Sequence, residues 1–331
     1  MQTASPKESK NIAVMRDWFN DKRDTDMRDN IESFLCQSST FARSRHEPST
    51  LPLTMQTRQE SAKLHVLYGT PIFCARSRKY EEVYAYAISM VYDLRNYKTE
   101  TFWGPFLPDS AASVDWEKME AVMIVLGHNL RMFTEQGHGI FGPQGIWREP
   151  WIGASPDSYF PAIKTLPPFI KSNMEDPYNI SGTWIRVVCF LDFHDLFAYN
   201  TSPQGLDPNL PREPLHTNEA IRLINMELRV VGMEEPGEGD GRELPVMLFE
   251  GTARSMHTQW DPHANSSIRG SVRMTKEGEV RWQSVSIYGG YVIPVAPVTP
   301  HSSTSTTPIV SVIVSHFSYS IPSSFMIQVK C

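Results

Sequence analysis

The segment Gly182–Asn200, GTWIRVVCFLDFHDLFAYN, sets the tightest limit on what this chain can become. From Trp184 to Leu191 it runs through Trp, Ile, Val, Val, Cys, Phe and Leu, with Arg186 as the one charge. β-Branched and aromatic side chains at that density suit a pleated, buried surface and crowd the preceding turn of a helix. Gly182 punctuates the start, and Asp192 with His194–Asp195 marks a turn before Leu196–Tyr199 returns. The stretch predicts two paired strands at the entry to a β-rich domain.

The chain beyond it supports the same class. Ile224, Met226, Leu228 and Val230 alternate with Asn225, Glu227 and Arg229, the period of a half-buried strand, although Ile221, Ile224 and Leu228 also have helical spacing. Glu234–Gly241 reads as an acidic turn and Leu244–Met256 as a strand. Ile268–Thr275 and Glu279–Tyr288 flank the Lys276–Gly278 turn and form the best hairpin signal in the chain. A meander of this kind hides its edges by closing on itself. The expected fold class is α+β, an antiparallel β-barrel over about Ile180–Tyr288 with helical and loop decoration.

Upstream, the apolar spacing is helical. Asn11–Cys36 reads as one or two surface helices, and the Ser/Thr/Pro-rich Gln37–Pro52 as a linker, with ordered chain starting at Ser61–Tyr68. Tyr80–Leu94 presents Val83, Ala87, Met90, Val91 and Leu94 on one face. Val114–Phe133 presents Met119, Val122, Met123, Leu126 and Leu130, with Ser113 as the expected N-cap. Gly137–Pro177 has little periodicity and reads as loop. The expected divisions are 1–60 helical and linker, 61–179 helical, 180–290 barrel, and a disordered tail over 291–331. The tail expectation rests on Pro294, Pro297, Pro300, Pro308 and Pro322, which block helices and interrupt ladders, and on the Ser/Thr-rich His301–Thr307. Only Ile309–Val314 there has the length and β-branching of a strand.

A net charge of −6 argues against a general nucleic-acid partner. No secretory h-region follows Met1, and Pro308–Val314 is too short to span a bilayer, so no membrane partner is expected and the compartment is cytosol or nucleus. The four cysteines Cys36, Cys74, Cys189 and Cys331 form no CxxC pair and read as free thiols; without secretion the sequons at Asn179, Asn200 and Asn265 carry no meaning. The chain has no GxSxG, GxxxxGK[ST], GxGxxG after a strand, or HExxH, so neither a cofactor nor catalysis is expected. His257, Asp261 and His263 flank a loop without metal-ligand spacing and read as solvated. His194–Asp195 beside Cys189 suggests a thiol–histidine pair, but a thiol inside an apolar strand reads as core.

YNISGTWIRVVCFLDFHDLFAYN and RGSVRMTKEGEVRWQSVSIYGG resemble the C-terminal region of a large group of fungal F-box proteins. SAKLHVLYG, YAISMVYDLRNYKTETFWGPF and VDWEKMEAVMIVLGHN resemble further segments of it, so the likeness runs discontinuously from about Ser61 to Gly290. The resemblance implies a calycin-like β-barrel that presents a substrate-binding surface in a Skp–cullin–F-box ubiquitin ligase. The Leu/Pro-rich helical F-box itself does not appear, and beyond Gly290 the chain departs from the family. Docking on the Skp-type adaptor is therefore expected only where an F-box is supplied. The expected activity is non-enzymatic protein binding, with Trp184, Arg186, Phe193, Tyr199 and Trp282 near a barrel mouth as the anchors, because aromatic and Arg side chains dominate interface energetics. The alternative is a carrier that encloses an apolar small molecule.

Overall fold

The structure is a computed structural model. It describes residues 36–44, 54–68, 78–101, 104–109, 113–135, 175–201, 207, 210, 212–256, 265–276, 280–288, 291–298, 310–317 and 321–330. The expectations for 11–35, 137–174 and the loop holding His257, Asp261 and His263 lie outside those residues. The chain divides into two compact units, one of Met1–Asp93, Pro105–Thr165 and Asp207–Thr217, the other of Leu94–Gly104, Leu166–Leu206 and Asn218–Cys331.

The first unit is helical. Its described helices are α1 (Ser39–Ser44), α2 (Met55–Tyr68), α3 (Arg78–Val91) and α4 (Trp116–Glu135). The segment expected to be a linker thus contains a helix, because its serines act as a cap. Ser38 Oγ accepts from the Phe41 amide at 3.1 Å, and Phe41 is then driven into the core. Thr54 does the same for α2, accepting from the Thr57 amide at 3.1 Å, so order begins before Ser61. α4 starts at Trp116 rather than Val114, and its cap is Asp115, not Ser113. Asp115 Oδ1 takes the Lys118 amide at 3.3 Å and the Gln59 Nε2–H at 2.9 Å. The stripe Met119, Val122, Met123 and Leu126 is buried as expected.

The second unit is an antiparallel sheet with one described α-helix. Its strands are β1 (Gly182–Phe190), β2 (Ala220–Glu234), β3 (Val246–Ser255), β4 (Asn265–Met274), β5 (Val280–Tyr288), β6 (Tyr291–Val298), β7 (Val310–Phe317) and β8 (Ile321–Lys330), in spatial order β6-β5-β4-β3-β2-β1-β8-β7. The β4–β5 hairpin forms as expected, with Ile268 opposite Ser286 and Val272 opposite Trp282. β2 resolves the strand-or-helix ambiguity in favour of a strand.

Two expectations fail in this unit. Leu196–Tyr199 is not a return strand but part of α5 (Phe193–Asn200), whose N-cap Asp192 accepts from the His194 amide at 2.8 Å. Nor is the described part of 291–331 a disordered tail, since it supplies β6, β7 and β8; the Ser/Thr-rich His301–Thr307 lies outside the described residues. β8 lies against β1 from Trp184↔Lys330 to Phe190↔Ser324, so the most apolar strand is paired on both sides. Of the prolines that argued against strands, the described ones, Pro294, Pro297 and Pro322, fall where they do little harm. Pro322 is the second residue of β8, before its pairing with β1 begins at Ser324, and Pro294 and Pro297 are in β6, at one end of the strand order.

The core of this unit gathers Tyr178, Ile180, Trp184, Met226, Leu228, Leu244, Met247, Phe249, Ala253, Ile268, Val272 and Trp282. Asp176 ties down the approach to β1 by accepting from the Ile180 and Ser181 amides at 2.8 and 2.7 Å. The acidic turn is similarly anchored: Asp240 accepts from the Gly237 amide at 2.9 Å and faces Arg273 at 3.7 Å.

Candidate functional site

The anchors expected from sequence separate into two groups. Trp184 is fully buried, donates Nε1–H to the Ile180 carbonyl at 2.7 Å, and meets Trp282 edge to face at 5.2 Å. Trp282 is 3 % exposed and also packs on Phe249, with ring centroids 5.4 Å apart. Both are interior side chains and offer a partner no surface. Arg186 is 3 % exposed and engaged within the fold. It shares the core-facing side of β1 with Trp184, in a cross-strand row with Ile224 and Ser255. These three residues are therefore not surface anchors.

Phe193 and Tyr199 sit on α5. Phe193 is 62 % exposed, Tyr199 is half-buried, and Phe197, one turn from Phe193, is 53 % exposed. The two phenyl rings stack with centroids 6.1 Å apart, and His194 meets the Phe193 ring edge to face at 6.0 Å. Leu196, on an adjoining face of the helix, is buried and docks it. Asn200 fixes the far end, accepting from the Leu94 amide at 3.0 Å and donating to the Leu196 carbonyl at 2.9 Å. At the adjoining end of the β1–β2 pair, the exposed Arg222 guanidinium lies over the Phe190 ring at 4.9 Å. The helix thus carries a stacked, exposed aromatic pair, and the strand end that precedes it carries the separate Phe190–Arg222 contact.

Phe197 and Arg222 were not singled out in the sequence. The i, i+4 spacing of Phe193 and Phe197 is a readable signal, but only once the segment is known to be helical. Arg222 was hidden because its pairing with Phe190 depends on strand register.

The remaining chemistry is sparse. Burial pushes the Cys189 thiol well above its usual range, and Glu219 pushes the same way. A fully buried thiol and a His194 side chain that is 92 % exposed form no nucleophile–base pair. Among the described residues, no three His, Cys, Asp or Glu side chains converge as a metal site, and no helix is long and apolar enough to cross a membrane. No family model, curated protein or solved structure matches the chain.

Proposed function

We propose that this chain is a non-catalytic protein-interaction module of the substrate-receptor kind, like the C-terminal region of the fungal F-box proteins it resembles. The observation that carries the reading is the exposed Phe193–Phe197 pair on α5. Two large aromatic side chains left in water on a fixed helix are costly unless a partner covers them, and such groups supply most of the energy at interfaces. On this reading Phe193, Phe197, Tyr199 and Arg222 contact the substrate, while Trp184, Arg186 and Trp282 hold the frame behind them. Attachment to a ligase requires a Skp-type adaptor and an F-box supplied to it.

The test compares proteins captured from cell extract by the full chain and by Phe193→Ala/Phe197→Ala, each fused to an F-box. Replacing two exposed rings leaves the core untouched, so stability stays within about 1 kcal/mol of the parent. Capture of a defined protein, and its ubiquitination, is expected to fall at least about tenfold, the effect of one modest hot spot. Equal capture by both proteins rejects the pair as the receptor surface.

We also infer that the sheet curls into a calycin-like barrel. In support, β6 and β7, the two ends of the strand order, approach with Cα atoms within 8 Å. A closed barrel would also suit the second reading, a carrier that encloses an apolar small molecule. A thermal-shift screen against fatty and aromatic acids separates the two, because a carrier gains stability from such ligands whereas a receptor frame does not.

A further inference from the structure

The helical unit buries an unusual concentration of polar groups among α1, α2 and α4. Glu120 of α4 is fully buried. Thr40 of α1 donates Oγ1–H to its Oε2 at 2.6 Å, and Ser38, just ahead of α1, bonds to the same carboxyl. Glu120 Oε1 is buried with no hydrogen-bond partner among the described residues. From α2 comes His65, itself buried, whose Nδ1–H donates to the Ser61 carbonyl at 2.7 Å.

The neighbouring charges are accounted for otherwise. Glu117, one turn before Glu120, holds Arg43 of α1 at 3.0 Å and Arg58 of α2 at 3.2 Å. On α3, the Tyr86 ring lies under Arg43 at 5.9 Å. Lys118 faces Asp115 at 3.8 Å and feels Asp93. Both guanidinium groups are thus committed to Glu117, and among the described residues Glu120 faces the Ser38 and Thr40 hydroxyls and the His65 ring. Burial holds the Glu120 carboxyl above its usual range; His65, Thr40 and Ser38 oppose the shift, and Glu117 adds to it.

We propose that Glu120 is a proton-dependent latch: uncharged, it holds α1 against α4 through Thr40, and loss of its proton releases α1. A carboxylate formed inside this cluster must reach water, and α1, six residues long, is the shortest of the described helices in the unit. The closed latch binds its proton more tightly than the open one. Its stability is therefore complete below the ordinary carboxylate value of 4.5 and is lost as pH rises through the higher, closed-state value. Between the two values the opening equilibrium grows about tenfold per pH unit.

Hydrogen exchange followed by mass spectrometry tests this on the full chain, comparing protection factors between about pH 5 and about pH 8, a range that begins just above the ordinary carboxylate value. In the parent, protection of 39–44 is expected to fall about tenfold per pH unit over part of that range, while β2–β5 hold theirs. Glu120→Gln, neutral at every pH, is expected to keep α1 protected with no such slope. A flat profile in the parent, or the same slope in Glu120→Gln, overturns the latch. Should Glu120→Gln fail to fold, Thr40→Val decides, because it keeps the carboxyl and removes the tie. It is expected to lower protection of α1 about tenfold at the acid end and leave β2–β5 unchanged, and protection equal to the parent overturns the proposal.

Discussion

Gly270 shows how little freedom one residue has in this core. A β-carbon there would come within 2.5 Å of the Phe249 ring and closer still to the Gln283 carbonyl. Phe249 fills the space the missing side chain leaves and passes the contact on to Trp282. Gly270→Ala is therefore expected to destabilise the sheet unit by about 1–3 kcal/mol through overpacking, read as a lower midpoint in urea with an unchanged slope. A midpoint equal to the parent would mean the strands separate at no cost. The aromatic residues divide by the same logic of cover. Trp184 and Phe193 are both large rings in one continuous segment, yet β2 and β8 flank the first, and the second stands on the outer side of α5.

At the scale of elements, short polar side chains decide where helices begin. Ser38, Thr54, Asp115 and Asp192 each accept an amide at the start of a helix. Asp115 also takes the Gln59 amide group, whose oxygen in turn accepts from the Trp116 amide at 2.6 Å, so one side chain joins α2 to the first turn of α4. Asp115→Ala is expected to cost about 1–2 kcal/mol, at the upper end for a cap, and to show as a lower melting temperature. Asp115→Asn, which keeps the accepting oxygen, is expected to recover most of it. The caps also explain the misread segments. Ser38 and Thr40 look like linker residues by composition, and Asp192 looks like a turn, because the same hydrogen bonds serve turns and helix starts.

For the whole molecule, the decisive pairing is between distant parts of the chain. β1 finds its second neighbour in β8, from the far C-terminal end of the sequence. Deleting 310–331 would expose a row of unpaired amides and carbonyls along the most apolar strand. The shortened chain is expected to lose cooperative unfolding and to aggregate, measured by calorimetry and light scattering. An unchanged melting transition would show that β8 adds nothing to β1.

The sequence by itself determined the strands whose side chains alternate or are uniformly apolar, the β4–β5 hairpin, and the buried stripe of α4, because those patterns follow from local geometry. It named Phe193 and Tyr199 as candidates near a barrel mouth, without the helix that carries them. Only the tertiary structure decided that Trp184, Arg186 and Trp282 face inward, that α5 is a helix presenting Phe197, and that 291–298, 310–317 and 321–330 join the sheet. Each of these depends on what covers a residue from elsewhere in the chain. A strand's alternation says which side chains share a face, but not which face is buried, and a weakly marked segment becomes a strand when an open edge lies beside it.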